Sequence, residues 1–255
     1  MAIQKTEAFI LRRIPLRETS WILTCLTRSF GKVKGVVKGA RKEKSSWFAA
    51  CELFTHVDMV YFEKTKTNLH LITELSILNS HVKLRSHFSA IAYAGYFSEL
   101  MDQLLEENET PPAVFELLKS TFSLLEKNTG SFDILARAFE IKLLRILGLL
   151  PHFLNCVECG SEMGRRVYFS ARQGGIFCEE CHAKNHGGFL ISHGCIQAIQ
   201  FLIKTDIPKI TQLRLGKQIK TELEQMSKRF IEFRIESQLK SLHFLSQVMP
   251  IISNN

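Results

Sequence analysis

The hydrophobic pattern of the chain changes period near residue 85. Before that point, apolar and β-branched residues gather in short runs: Glu7–Arg12, Trp21–Thr27, Val33–Lys38, Phe54–Phe62 and Leu69–Glu74. Gly, Ser, Thr or charge clusters separate them, which predicts strands. Five strands in about eighty residues, with no helical spacing between them, predict a small closed barrel, since closure removes exposed sheet edges.

After residue 85 the spacing is helical. Phe97, Leu100, Met101, Leu104 and Leu105 mark a first helix,. Thr110 followed by Pro111 and Pro112 opens a second, because Pro lacks a donor that the first turn would not use,. Val114, Phe115, Leu117, Leu118, Phe122 and Leu125 continue it. A third runs from about Ser131 to Leu147, with Gly148 and Pro151 as stop signals,. Residues 152–190 lose the period and gain Cys, Gly and His. Helical spacing returns with Ile196, Ile199, Leu202 and Ile203. A last helical segment follows from Gly216, with Ile219, Leu223, Met226, Phe230, Phe233 and Leu239. The expected fold class is therefore α+β: a β-barrel domain over 1–80, then an α-helical domain over 81–255 interrupted by a Cys-rich insertion at 152–190.

Composition adds little to the fold and more to the partner. A hydrophobic content of 45% is ordinary for a globular chain,. No stretch approaches the run of about eighteen apolar residues that spans a bilayer. The N-terminal MAIQKTEAF has no apolar leader, so no membrane association and a cytosolic location are expected,. The net charge is +8, unevenly spread. Residues 1–80 hold 13 Lys and Arg against 7 Asp and Glu, whereas residues 81–150 hold 7 against 9. A basic excess on the barrel points to a polyanion partner there.

Cys156-Val-Glu-Cys159 and Cys178-Glu-Glu-Cys181 form two C-x-x-C pairs separated by 18 residues. Each pair can offer two thiolates from one tight turn, and two facing turns complete a tetrahedron around a single zinc ion. Val167–Ala171, Gly174 and Gly175 suggest a hairpin leading into the second turn. The competing readings are two disulfides, a redox dithiol and an iron–sulfur site. Disulfides conflict with a reducing compartment, and a redox motif needs only one C-x-x-C on a βαβ frame. Four thiolates leave no open coordination position, so a zinc here is structural. His182 and His186 beside the second pair are surplus to four ligands. Cys25, Cys51 and Cys195 stand alone and read as small buried side chains.

Arg28, Lys32, Lys34, Lys38, Arg41, Lys42 and Lys44 crowd into seventeen residues with Glu43 as the single acid. Lys32, Lys34 and Lys38 have even spacing and would share one strand face, which Arg41, Lys42 and Lys44 would extend into a loop. A cationic strand and loop of this kind can track a phosphate backbone. Phe30, Trp47 and Phe48 flank the run; core packing is the simpler reading for each, base stacking the alternative. Glu106, Glu107 and Glu109 read as a solvated helix end. There is no phosphate loop, Rossmann glycine pattern, H-E-x-x-H or G-x-S-x-G element, so the sequence proposes no reaction.

Several segments resemble the RecO family of bacterial recombination mediators. They are Ala8-Phe-Ile-Leu-Arg-Arg13, Glu18-Thr-Ser20, Leu26-Thr-Arg-Ser-Phe-Gly-Lys32, Val37-Lys-Gly-Ala-Arg-Lys42, Phe139 to Gly148, Cys156-Val-Glu-Cys-Gly160 and Gly174 to Cys181. The resemblance implies an N-terminal OB-fold, a helical domain and a four-cysteine zinc element. It implies zinc ligands Cys156, Cys159, Cys178 and Cys181, and DNA-facing residues Lys32, Lys34, Lys38, Arg41, Lys42 and Lys44. Where the family often continues Lys-Ser-Arg, this chain has Lys44-Ser-Ser46, one cation fewer. The implied activity is not enzymatic. It is to bind single- and double-stranded DNA, engage the C-terminal tail of single-stranded-DNA-binding protein (SSB), anneal strands and, with RecR, help load RecA in RecF-pathway repair. A zinc-ribbon regulator that reads a duplex site is the alternative; it would need a recognition helix with cations on one face.

Overall fold

A computed structural model describes residues 2–255 apart from 43–44, 46, 108–110, 128–130, 186, 211 and 254–255; the side chains of 185 and 249–253 also lie outside the described residues. Two compact units emerge, one of residues 1–128 with 239–255, the other of residues 129–238.

The first unit is built on β1 (Ile3–Leu16), β2 (Ser20–Thr27), β3 (Lys32–Val37), β4 (His56–Phe62) and β5 (Leu69–Asn79). They close into a barrel in the order β1-β2-β3-β5-β4, with β4 pairing back onto β1. All pairings are antiparallel except β3 with β5. This is the OB-fold arrangement. β1 is long enough to serve two neighbours, pairing with β4 from Ile3 to Phe9 and with β2 from Ala8 to Leu16. A register shift between Ile10 and Arg12 bends it between those partners,.

Alternation sends Ala8, Ile10, Leu23, Cys25, Val33, Val37, Val57, Met59 and Ile72 into the barrel core. Gly35 shares that inward face, where an added Cβ would lie 2.6 Å from Ile72 Cγ1. A strand glycine is needed there for β3 and β5 to approach each other. The opposite face of β1 carries Phe9, fully buried, which stacks on His56 with centroids 4.6 Å apart and meets Phe115 at 5.1 Å and Phe122 at 5.5 Å.

Three helices follow: α1 (Val82–Arg85), α2 (Phe88–Leu104) and α3 (Pro112–Lys127). Phe115 and Phe122 belong to α3 and cover the outer wall of the barrel. The helix opens at Pro112 as the sequence predicts, while the expected cap Thr110 lies outside the described residues. Several strand limits differ from expectation; β1 runs from Ile3 to Leu16 rather than from Glu7 to Arg12, because β4 and β2 pair along its whole length. Phe54 adopts positive φ, 69°, so β4 begins only at His56. β5 extends past Glu74 to Asn79 because β4 supplies partners along its length.

The second unit contains α4 (Phe132–Ile146), β6 (Val167–Ser170), β7 (Gly175–Phe177), α5 (Glu179–Asn185), β8 (Phe189–Ile191), α6 (His193–Lys204), α7 (Ile207–Ile210) and α8 (Lys217–Ile235). The three strands form a sheet ordered β7-β6-β8, the hairpin expected from the sequence plus one added edge. Ser192 caps α6 by accepting from the Cys195 N–H, and the Glu222 carboxylate of α8 accepts from both the N–H and the hydroxyl of Ser192,. The last helical segment is broken where Glu236 turns left-handed, φ 53°. The chain then returns to the first unit as α9 (Lys240–Ser253), whose first turn donates the Lys240 and Ser241 N–H groups to the Glu99 carboxylate of α2.

Candidate metal centre and nucleic-acid surface

The two cysteine pairs converge although 18 residues separate them. Cys156–Cys159 is a tight turn: the Gly160 N–H donates to the Cys156 carbonyl at 2.9 Å, and the Cys156 N–H to the Ser161 carbonyl at 3.0 Å. Cys178 follows β7, and Cys181 sits in the first turn of α5. The two turns are stitched through β7. His152 donates its N–H to Gly174 O and accepts from Ile176 N–H, and Val157 donates to Ile176 O. Gly175 permits this: a Cβ there would lie 2.5 Å from Val157 Cγ1 and 2.7 Å from His152 O. The second glycine of the Gly174-Gly175 pair is thus required by packing at the cysteine site.

All four Sγ atoms lie within 4.8 Å of one another, and Cys159 and Cys178 are 3.8 Å apart. A tetrahedron with metal–sulfur bonds of about 2.3 Å has edges of about 3.8 Å. The donor set can therefore hold a metal ion. Burial opposes ionisation of Cys156, yet N–H groups of Cys159, Cys178 and Glu158 donate to its sulfur and bring its pKa below the ordinary value. The Ser161 hydroxyl, 3.1 Å away, heads the groups that lower the Cys159 thiol to about 6. Burial pushes the Cys181 thiol up. His182 stacks flat on Tyr168, centroids 3.6 Å apart, and is not among the clustered ligands; His186 lies outside the described residues. Cys25, Cys51 and Cys195 are buried apart from this cluster, with burial raising Cys51 and Cys195 to about 12.

The basic run divides into two sets. Lys32 and Lys34 share the outer face of β3, as their spacing predicts, but acids meet both. The Lys32 side chain is 8% exposed, with Nζ 2.5 Å from the Asp102 carbonyl and 3.5 Å from its carboxylate. Lys34 Nζ lies 2.6 Å from Glu107, and this hydrogen bond holds the Glu107 carboxyl below its ordinary pKa. Glu107 is therefore an ion-pair partner rather than a free member of a solvated patch. Arg28 is paired with Glu7 and Glu116.

Lys38, Arg41 and Lys42 lie beyond the end of β3: Arg41 and Lys42 occupy a turn, as the sequence predicts, whereas Lys38, expected on the strand face, falls just past the strand's last residue, Val37. Lys38 and Lys42 are exposed, and none of the three forms a salt bridge among the described residues. Arg41 is tethered by neutral groups. Its N–H donates to Thr19 O at 2.9 Å and its guanidinium to Arg17 O at 2.6 Å. Lys44 lies outside the described residues. Phe30 and Trp47 pack against the barrel core, while Phe48 is 45% exposed.

Sequence reasoning missed the acids that neutralise Lys32 and Lys34, which come from the end of α2 and the segment after it. It also missed Trp21, read only as a strand opening. The guanidinium of Arg13 lies 5.0 Å, and that of Arg41 5.1 Å, from its ring centroid. No local signal announces this, because the β2–β3 pairing is what brings Arg41 to Trp21.

Comparison with known proteins agrees along the chain. The family described as Recombination protein O N terminal matches residues 1–81, and Recombination protein O C terminal matches residues 85–243. The DNA repair protein RecO of Symbiobacterium thermophilum is 32% identical over 248 residues, 96% of this chain and 97% of the relative. Those of Dehalococcoides mccartyi and Alkaliphilus metalliredigens are 31% and 30% identical, covering 96% and 91% of this chain and 95% and 94% of their own.

Proposed function

The chain belongs to the RecO family of DNA repair proteins, and from that premise we propose that it is a non-catalytic recombination mediator of the RecF pathway. It binds single- and double-stranded DNA with its barrel, engages the SSB tail, anneals complementary strands and, with RecR, helps load RecA. The observation that carries this reading is the turn of Lys38, Arg41 and Lys42, where cations with no salt bridge among the described residues stand at one end of an OB-fold. Such a surface tracks phosphates without reading sequence. A cytoplasmic place of action fits this role. Among the described residues no helix is long and apolar enough to cross a membrane.

The metal of the second unit is zinc, held by Cys156, Cys159, Cys178 and Cys181. Its role is structural, since four thiolates leave no position for water or substrate.

The test is annealing of complementary strands already coated with SSB, in parallel with SSB lacking its acidic tail. Tail-dependent annealing is expected. Zinc-loaded protein that anneals neither would remove the mediator role.

A further inference from the structure

We propose that the Trp21 indole, with the Arg41 guanidinium held over it, is a stacking site for an unpaired nucleobase. The inference rests on the DNA-binding role proposed above and goes further, assigning to this site a preference for single strands.

Trp21 is the second residue of β2, opposite Pro15 of β1 and Val37 of β3. It is half-buried, packed on the core at the end of the barrel where the cationic turn emerges. Two guanidiniums lie over its ring, but they are not equivalent. Arg13 is tied to Glu52 at 2.6 Å, so its charge is already neutralised. Arg41 is held by the carbonyls of Arg17 and Thr19 and forms no salt bridge among the described residues. The first supports the indole within the protein. The second is a flat cation, immobilised beside an aromatic ring, next to the exposed side chains of Arg17, Lys38 and Lys42.

A phosphate backbone drawn to those cations brings its bases to a planar surface whose ordering cost is already met by the fold. Bases stack on aromatic rings and on guanidinium planes alike, without regard to sequence. A base inside a duplex is already stacked between its neighbours and has no free face to offer. The duplex therefore gains only the phosphate contacts, and the single strand gains both.

The wild-type chain tests this by photocrosslinking to a single-stranded oligonucleotide carrying 5-iododeoxyuridine. Trypsin releases residues 18–28 as one peptide, in which Trp21 is the single aromatic residue; Trp47 falls in the separate peptide 45–64, or 43–64 where Lys44 is left uncut. A nucleotide adduct on peptide 18–28 is expected. Adducts confined to other peptides would overturn the assignment while leaving DNA binding in place. Absence of DNA binding by the wild-type chain would remove the mediator reading and this site together. In equilibrium binding, Trp21→Leu is expected to weaken single-strand affinity by about ten-fold, the scale of one stacked base, and to leave duplex affinity unchanged. Equal losses on both DNA forms would make Trp21 a support for the turn, and the stacking site would fall.

Discussion

The barrel and the cysteine-bearing unit use the same residue in opposite ways. In the barrel, Cys25 and Cys51 are buried among Ala8, Ile10, Leu23, Val57, Met59 and other apolar side chains, and burial pushes both thiols up. They are apolar filler. In the second unit, Cys156, Cys159, Cys178 and Cys181 converge on one point, and the cluster around them adds buried Phe177 with the partly buried Val157, Met163 and Tyr168 packed against it. The barrel core is extensive enough to hold its strands by burial. The two cysteine turns have few buried apolar neighbours, so something other than the hydrophobic effect must hold them together.

The largest expected effect follows directly. Cys156→Ser combined with Cys159→Ser should abolish stoichiometric zinc and melt the turns and the β7-β6-β8 sheet. Zinc binding to such sites supplies folding energy on the order of 10 kcal/mol. Zinc content by mass spectrometry and amide exchange across 152–191 read the outcome. Unchanged zinc would refute the ligand assignment. Strong exchange protection without zinc would refute the claim that metal holds the turns. The barrel should keep its own protection. Next in size is Phe9→Ala, which removes the ring between His56, Phe115 and Phe122. A loss of about 3–5 kcal/mol in denaturant unfolding is expected, with zinc retained.

Local order was legible and long-range pairing was not. The barrel was readable because alternation, turns and strand count are local signals. The metal candidates were readable because C-x-x-C fixes two ligands in one turn. Three features depended on residues far apart in the chain. Asp102 meets Lys32 across 70 positions, Glu107 meets Lys34, and Arg41 meets Trp21. No periodicity records such meetings. The break at Glu236 was hidden for another reason: its left-handed backbone occurs at a residue with no glycine or asparagine to announce it,.

The contrast between cations paired with acids and those with no salt bridge among the described residues gives the third expected effect. Lys38→Ala, Arg41→Ala and Lys42→Ala together should reduce the log–log salt slope of single-strand binding by roughly two, since each phosphate contact contributes about 0.7. Lys32→Ala with Lys34→Ala should leave that slope nearly unchanged. Their ammonium groups are engaged by Asp102 and Glu107, so fewer DNA counterions depend on them. Fluorescence anisotropy across a salt series separates the two sets. A steeper loss from the Lys32 and Lys34 pair would place the DNA surface on β3 itself.

The smallest expected effect concerns the seam between barrel and helices. His56 faces Glu7 of β1, Lys119 of α3 and His81, and stacks on Phe9. His81 faces Glu126 of α3, Asn79 and Arg85, beside Phe122. Burial is the leading cause that lowers both pKa values from 6.5, partly opposed by the carboxylates. An unfolded chain therefore takes up these protons at higher pH than the folded one. Stability from the neutral rings is present above pH 6.5 and is lost as pH falls through the lower folded values. The urea midpoint of the first unit should accordingly drop between pH 7.5 and 5.5. Acid would also protonate the thiolates of the proposed zinc site, so the informative quantity is the difference from His81→Asn at each pH. Asn tolerates the left-handed backbone at that position, φ 48°, and carries no titrating ring,. A variant whose midpoint falls as steeply as the wild type would show that His81 does not contribute to the acid sensitivity of the seam.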